Sequence, residues 1–153
     1  MRSIKKFNEY QSDDEYDYIE IPESDYLYVQ KSQIPNAGSG LFTSIDIERG
    51  EIVSQFIGEI ISDKEAQNRV DSNDDQYFMS LPTGEMLDCK RTKCFAKYAN
   101  DAEGIPSKFR NNTFIGMDDD DNVVLIAKRN IKEGEEIFTG YGKEYWKKHS
   151  KVI

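Results

Sequence analysis

The stretch Glu133-Gly134-Glu135-Glu136-Ile137-Phe138-Thr139-Gly140-Tyr141-Gly142 decides how the rest of the chain is read, and Lys143-Glu144-Tyr145-Trp146 follows it directly. Lys132 to Glu135 has the make-up of a tight turn, with Gly134 where a Cβ would resist the backbone. A strand is expected over Glu136 to Thr139, alternating outward polar and inward apolar residues, and it delivers Tyr141 to the end of an extended segment. The glycines on either side of Tyr141 let other backbone or a ligand approach closely. The stretch is therefore either a place for chemistry or the end of a hairpin whose tyrosine fills the core.

Composition narrows the setting. With 153 residues the chain is one domain's worth. Nine tyrosines, eight phenylalanines and one tryptophan carry much of the buriable surface, and a buried tyrosine hydroxyl must be paired or used. The net charge of -9 repels phosphate backbones and favours a basic polypeptide or a small cation, so direct nucleic-acid binding is not expected. Cys89, Cys94 and His149 are the only cysteines and histidine, which leaves neither a disulfide framework nor a zinc cluster. A reducing compartment fits, and no metal is expected. No apolar run reaches the roughly 18 residues of a membrane span, and the N-terminus lacks the apolar core of a signal peptide. The expectation is a soluble intracellular protein, nuclear or cytoplasmic.

Upstream, residues 1–25 turn acidic through Asp13, Asp14, Glu15, Asp17, Glu20, Glu23 and Asp25, interleaved with Tyr10, Tyr16 and Tyr18. They read as a flexible arm: a solvated tail, or a tether that docks through its tyrosines or attracts a basic partner. The domain is expected over residues 26–146, starting with a strand from Tyr26 to Lys31, and residues 147–153 form a tail. Gly38-Ser39-Gly40 lacks the third glycine and the helix of a dinucleotide fingerprint. It is either a turn or a backbone loop able to approach a small molecule closely. Ser62-Asp63-Lys64-Glu65 is a capping box that starts a helix through about Val70. Gln76 to Leu81 and Glu85 to Asp88 form a hairpin, Thr92 to Ala99 a helical turn or two, and Asn100 to Asn112 an irregular stretch. Thr113 to Met117 and Val123 to Ala127 make another hairpin, its second strand apolar enough to be buried on both faces. Short strands with frequent turns and little helix give a mainly β fold made of several small sheets.

Five pieces in this order resemble the SET-domain protein-lysine methyltransferases over residues 26–146: Ile34 to Phe42, Gly58-Glu59, Asp75 to Leu81, Ala96 to Asn100, and Ala127 to Gly142. The resemblance implies a SET fold with a C-terminal pseudoknot, the last piece passing through a loop made by the fourth so that Asn100 lies beside Tyr141. It implies S-adenosyl-L-methionine as cofactor, held by Gly38, Ser39, Gly40, Tyr98 and Asn100, with Trp146 as an adenine lid or alternatively a packing anchor. Tyr77 and Tyr141 match the family's channel tyrosines and are the candidate catalytic residues. The implied reaction is methyl transfer to a lysine of a basic polypeptide, histone-like in character. A free lysine with pKa near 10.4 must first lose its proton, which an aromatic, desolvated channel favours. The chain departs from the family where Asp101 replaces a histidine, Ala102-Glu103 replaces Ser-Cys, and Thr139 occupies a position usually aromatic. These departures sustain a second expectation, a non-catalytic SET-fold module that binds a basic protein.

Overall fold

Every residue of Val123–Ala127 is buried, and the two-residue period of a strand sends them to two different places. Val123, Leu125 and Ala127 join the main core with Leu41, Ile47, Val53 and Ile137. Val124 and Ile126 pack with Ile52, Phe114 and Tyr16 on the opposite face. The apolar run expected to be covered on both sides is so covered.

The structure is a computed structural model describing residues 16–81 and 83–140. In chain order the strands are β1 Asp17–Tyr18, β2 Leu27–Lys31, β3 Ser39–Thr43, β4 Glu51–Gln55 and β5 Glu59–Ile61, then helix α1 Asp63–Asp71. There follow β6 Phe78–Ser80, β7 Met86–Asp88, β8 Thr113–Met117, β9 Val123–Ala127, β10 Glu136–Ile137 and β11 Thr139–Gly140, with 3-10 turns at Glu23–Asp25 and Ala96–Tyr98. Among the described residues three sheets form, in the orders β1-β4-β9-β8-β11, β10-β3-β2 and β5-β7-β6. The mainly β fold of small sheets with one α-helix is the expected one.

Helix α1 shows how local sequence decides local structure. Ser62 Oγ accepts the Glu65 N–H at 3.1 Å, as the capping box requires. The Glu65 carboxylate does not return to the cap; it takes Arg69 Nε at 2.7 Å instead. None of the helix residues is buried, so packing alone does not hold it. Arg69 Nη1 reaches the fully buried Asp88 of β7 at 2.7 Å and Glu59 of β5 at 3.3 Å, fastening helix to sheet.

Two expectations are corrected. The ordered fold starts before Tyr26. Residues 17–18 pair in parallel with β4, Ile19 is buried in the main core, and the Glu23 carboxylate accepts Ser54 Oγ at 2.5 Å and Gln55 N at 3.1 Å. The acidic composition hid this because a few apolar residues, Tyr16, Ile19 and Ile21, and one well-placed carboxylate suffice to anchor the segment. Residues 1–15 of the expected arm lie outside the described residues. The outward-polar, inward-apolar alternation over Glu136 to Thr139 does not hold either, since all four residues are buried. β10 pairs with β3 and β11 with β8, so the segment crosses between two sheets. Glu136 is tolerated inside because Oε2 accepts Ser32 Oγ at 2.7 Å and Oε1 accepts Gln33 N at 2.8 Å.

Candidate functional site

Residues that are distant in sequence meet around a cleft of about 440 Å³ lined by Ala37, Gly38, Ser39, Gln76, Tyr77 and Lys97 to Asp101. The first wall is the turn entering β3. Gly38 has φ +70, a left-handed conformation that a side chain would strain, and its carbonyl accepts Ser32 N at 2.8 Å. Ser39 follows, its carbonyl taking the Asn100 side-chain amide at 2.9 Å. Asn100 thus ties the second wall, which continues from the Ala96–Tyr98 turn, to the first.

The third component is the end of the described chain. Phe138 bridges Asn100 in parallel, and Thr139 N donates to Asn100 O at 2.9 Å. On the other side Phe138 N donates to Asn112 Oδ1 at 2.8 Å, and Thr113 N to Phe138 O at 3.0 Å. Residues 138–139 are therefore held between Asn100 and the 112–113 segment. The chain from Asp101 to Asn111 is closed at its neck: Asn111 Oδ1 accepts Ala102 N at 2.8 Å, and its amide donates to Asp101 Oδ1 at 3.0 Å. Glu103 Oε2 accepts Asn111 N at 2.8 Å. The residues that depart from the resemblance thus have a local task, closing this loop, and Ala102 fills the space against Ile34 and Phe138.

Of the expected site residues, the structure brings Gly38, Ser39, Tyr77, Tyr98 and Asn100 to the one cleft. Gly40 does not line it. A Cβ there would lie 2.3 Å from Glu136 Oε2 and 3.1 Å from Ser32 Cα, so the absence of a side chain at this glycine admits a buried carboxylate. Tyr141 and Trp146 lie outside the described residues. Thr139 is fully buried, and its hydroxyl has no hydrogen-bond partner among the described residues.

Sequence reasoning missed Lys97 and Glu136. Lys97 stood inside a matched piece, but a lysine beside two tyrosines has no signature of its own. Glu136 had one, because a glycine inside strand β3 signals close approach of another group. No feature of the sequence says which group approaches. Among the described residues no cluster of His, Cys, Asp and Glu could hold a metal ion, and no helix is long and apolar enough to cross a membrane.

The geometry has counterparts among known proteins. The chain is 29% identical over 121 residues to a histone-lysine N-methyltransferase, H3 lysine-36 specific, of Kluyveromyces lactis; the match covers 76% of this chain and 17% of that protein. It is 26% identical over 117 residues to the histone-lysine N-methyltransferase ash1 of Drosophila melanogaster, covering 74% of this chain and 5% of the other. The chain thus spans a small part of the length of these relatives. A solved structure described as "ctPRC2 in an autoinhibited conformation bound to S-adenosylmethionine" superposes with a TM-score of 0.65 at 27% identity, covering 82% of this chain and 16% of that one. The family described as SET domain matches residues 38–142, from the turn that opens the cleft to beyond the strand that completes it, and the chain belongs to that family.

Proposed function

We propose that the chain is an S-adenosylmethionine-dependent protein-lysine N-methyltransferase acting on a basic polypeptide of histone type. The observation that supports this most is the meeting of Gly38, Ser39, Tyr77, Tyr98 and Asn100 at one cleft. Its volume of about 440 Å³ lies within the roughly 300–1,000 Å³ of small-molecule sites, and it combines aromatic faces with a few polar groups. Backbone at Gly38 and Ser39, the Tyr98 ring and the Asn100 amide would hold the cofactor, with Trp146 over the adenine. When bound, the cofactor supplies an electrophilic methyl group on a sulfonium.

The remaining steps belong to the protein. Tyr77, half-buried at the cleft, orients the lysine amine through its hydroxyl, and Tyr141, the residue after β11 in sequence, is assigned the same task. Aromatic surroundings strip water from the amine and favour its neutral, nucleophilic form. The net charge of -9 draws a basic substrate towards the molecule. The relatives named above carry the histone specificity in their own descriptions, and this supports a nuclear substrate here.

Methyl transfer from labelled cofactor to histone and lysine-peptide mixtures tests the reading. Tyr141→Phe is expected to keep its fold and cofactor affinity and to lose on the order of 10²-fold in kcat, with Tyr77→Phe behaving similarly but more mildly. Wild-type turnover in Tyr141→Phe would remove that tyrosine from catalysis. A second reading, a non-catalytic module for a basic partner, rests on Asp101 and Glu103, whose carboxylates help close the loop beside the cleft. Absence of saturable cofactor binding in a calorimetric titration would select it.

A further inference from the structure

Lys97 occupies the middle of the Ala96–Tyr98 turn and lines the cleft. Its Nζ donates to the carbonyls of Cys89 at 3.1 Å, Lys90 at 3.0 Å and Thr92 at 3.1 Å. An ammonium has three protons, and all three are used. The same Nζ lies 5.4 Å from the ring centroid of Tyr77 and 5.4 Å from that of Tyr98, inside the roughly 6 Å range of cation–π attraction. One side chain therefore ties together the loop after β7, the ring expected to face the substrate amine and the ring expected to face the cofactor.

The three acceptors are neutral, so backbone dipoles fix the charge in place without cancelling it. An amine brought to Tyr77 meets a positive charge that cannot swing away. We propose that Lys97 is a positioning residue of the transfer site, clamping Tyr77 and Tyr98 while its fixed charge repels a protonated substrate lysine and favours the neutral amine. The proposal rests on the methyltransferase reading and adds to it the group that sets the charge of the nucleophile.

Other titratable groups face Lys97. Tyr77 comes from the segment before β6, Tyr98 from its own turn, Asp101 from the same stretch of cleft lining, and Cys89 and Cys94 from the chain between β7 and the turn. Both thiols are buried. The Cys94 thiol is pulled down, chiefly by its contact with Cys89 and also by Lys97, while the Cys89 thiol is pushed up by the same contact and by burial. A Cys94 thiolate would offset part of the Lys97 charge, so the test includes that residue.

The readout is the acid limb of kcat at saturating lysine peptide, which reports groups in the enzyme–substrate complex. A like charge about 8 Å away at an effective dielectric near 20 lowers an amine's pKa by about one unit or more. Lys97→Gln and Lys97→Met should therefore move the limb up by about one pH unit and slow turnover near neutrality about tenfold. Cofactor dissociation constants should rise in both neutral variants because Tyr98 loses its clamp, and reading kcat at saturating cofactor keeps that loss out of the limb. Lys97→Arg, which restores the charge, should return the limb to its wild-type position, and Cys94→Ser should leave it there. An unmoved limb in either folded neutral variant overturns the proposal, as does an equal displacement in Lys97→Arg or Cys94→Ser. A wild-type protein that transfers no methyl group overturns it together with the methyltransferase reading, whereas an active wild type with an unmoved limb overturns the Lys97 role alone.

Discussion

Gly40→Ala separates two roles for a glycine beside a ligand cleft. The added methyl would stand 2.3 Å from Glu136 Oε2, 2.9 Å from its Cδ and 3.1 Å from Ser32 Cα. The carboxylate cannot simply step aside, because it is buried and both oxygens are engaged, one by Ser32 Oγ and one by Gln33 N. Losing one hydrogen bond to a charged group costs about 1.5–3 kcal/mol, and forcing a methyl into a packed site adds about 1–3 kcal/mol. The expected destabilisation is about 3–5 kcal/mol, which lowers Tm by on the order of 10 °C in a chain of this size. Thermal unfolding followed by circular dichroism measures it, and cofactor titration well below the transition should show affinity within a few-fold of wild type. In a Glu136→Ala background the same methyl should cost at least about 1 kcal/mol less, since the group it strikes is gone. A Tm within about 2 °C of wild type combined with weakened cofactor binding would refute the argument and return Gly40 to the ligand.

Deleting residues 1–25 should raise KM chiefly at low salt if the segment attracts basic substrate, and should lower Tm because Ile19 and the Glu23–Ser54 bond are lost. An unchanged Tm would count against the anchored segment. Ser62→Ala should cost about 1 kcal/mol through the lost cap on α1, read by urea unfolding, and no change would mean the Arg69 contacts alone set the helix. The Asp74 carboxyl is held down to about 2 by its bonds from Lys90 and then Arg91. A folded value below the unfolded one stabilises the protein fully above the ordinary 3.8, and this contribution fades as pH falls through about 2. The Tm gap between wild type and Asp74→Asn should therefore close in strong acid, and a gap that persists there would contradict the ion pairs.

Much of the fold was legible because it rests on local rules. The Ser62 cap starts α1 where expected, β6 and β7 pair as the expected hairpin, and the apolar run of β9 is covered on both faces. The cleft was legible only through the order of five pieces resembling a family, because nothing local places Gly38 beside Tyr77 and Asn100. Failures came where a single long-range contact outweighs pattern. Glu136 reads as a surface residue until Ser32 and Gln33 are brought to it, and residues 17–25 read as a solvated arm until Ile19 finds the core. Buried carboxylates break binary patterning because hydrogen bonds, not the residue's average polarity, decide their placement.

The closure of the 101–111 loop against residues 138–139 also dictates an order of assembly. Ser32 and Glu136 are 104 residues apart, and the Asn100 carbonyl receives its backbone donor from Thr139. Contacts of such sequence separation are slow to form, since a long chain must close before they contribute. During synthesis the hairpins β6–β7 and β8–β9 are available early, and the Asn100–Ser39 bond between the walls can form, but the third component of the cleft joins only after Thr139 has been made. A nascent chain can thus hold most of its strands while having no place for a ligand, and ligand-binding competence becomes a late marker of complete folding.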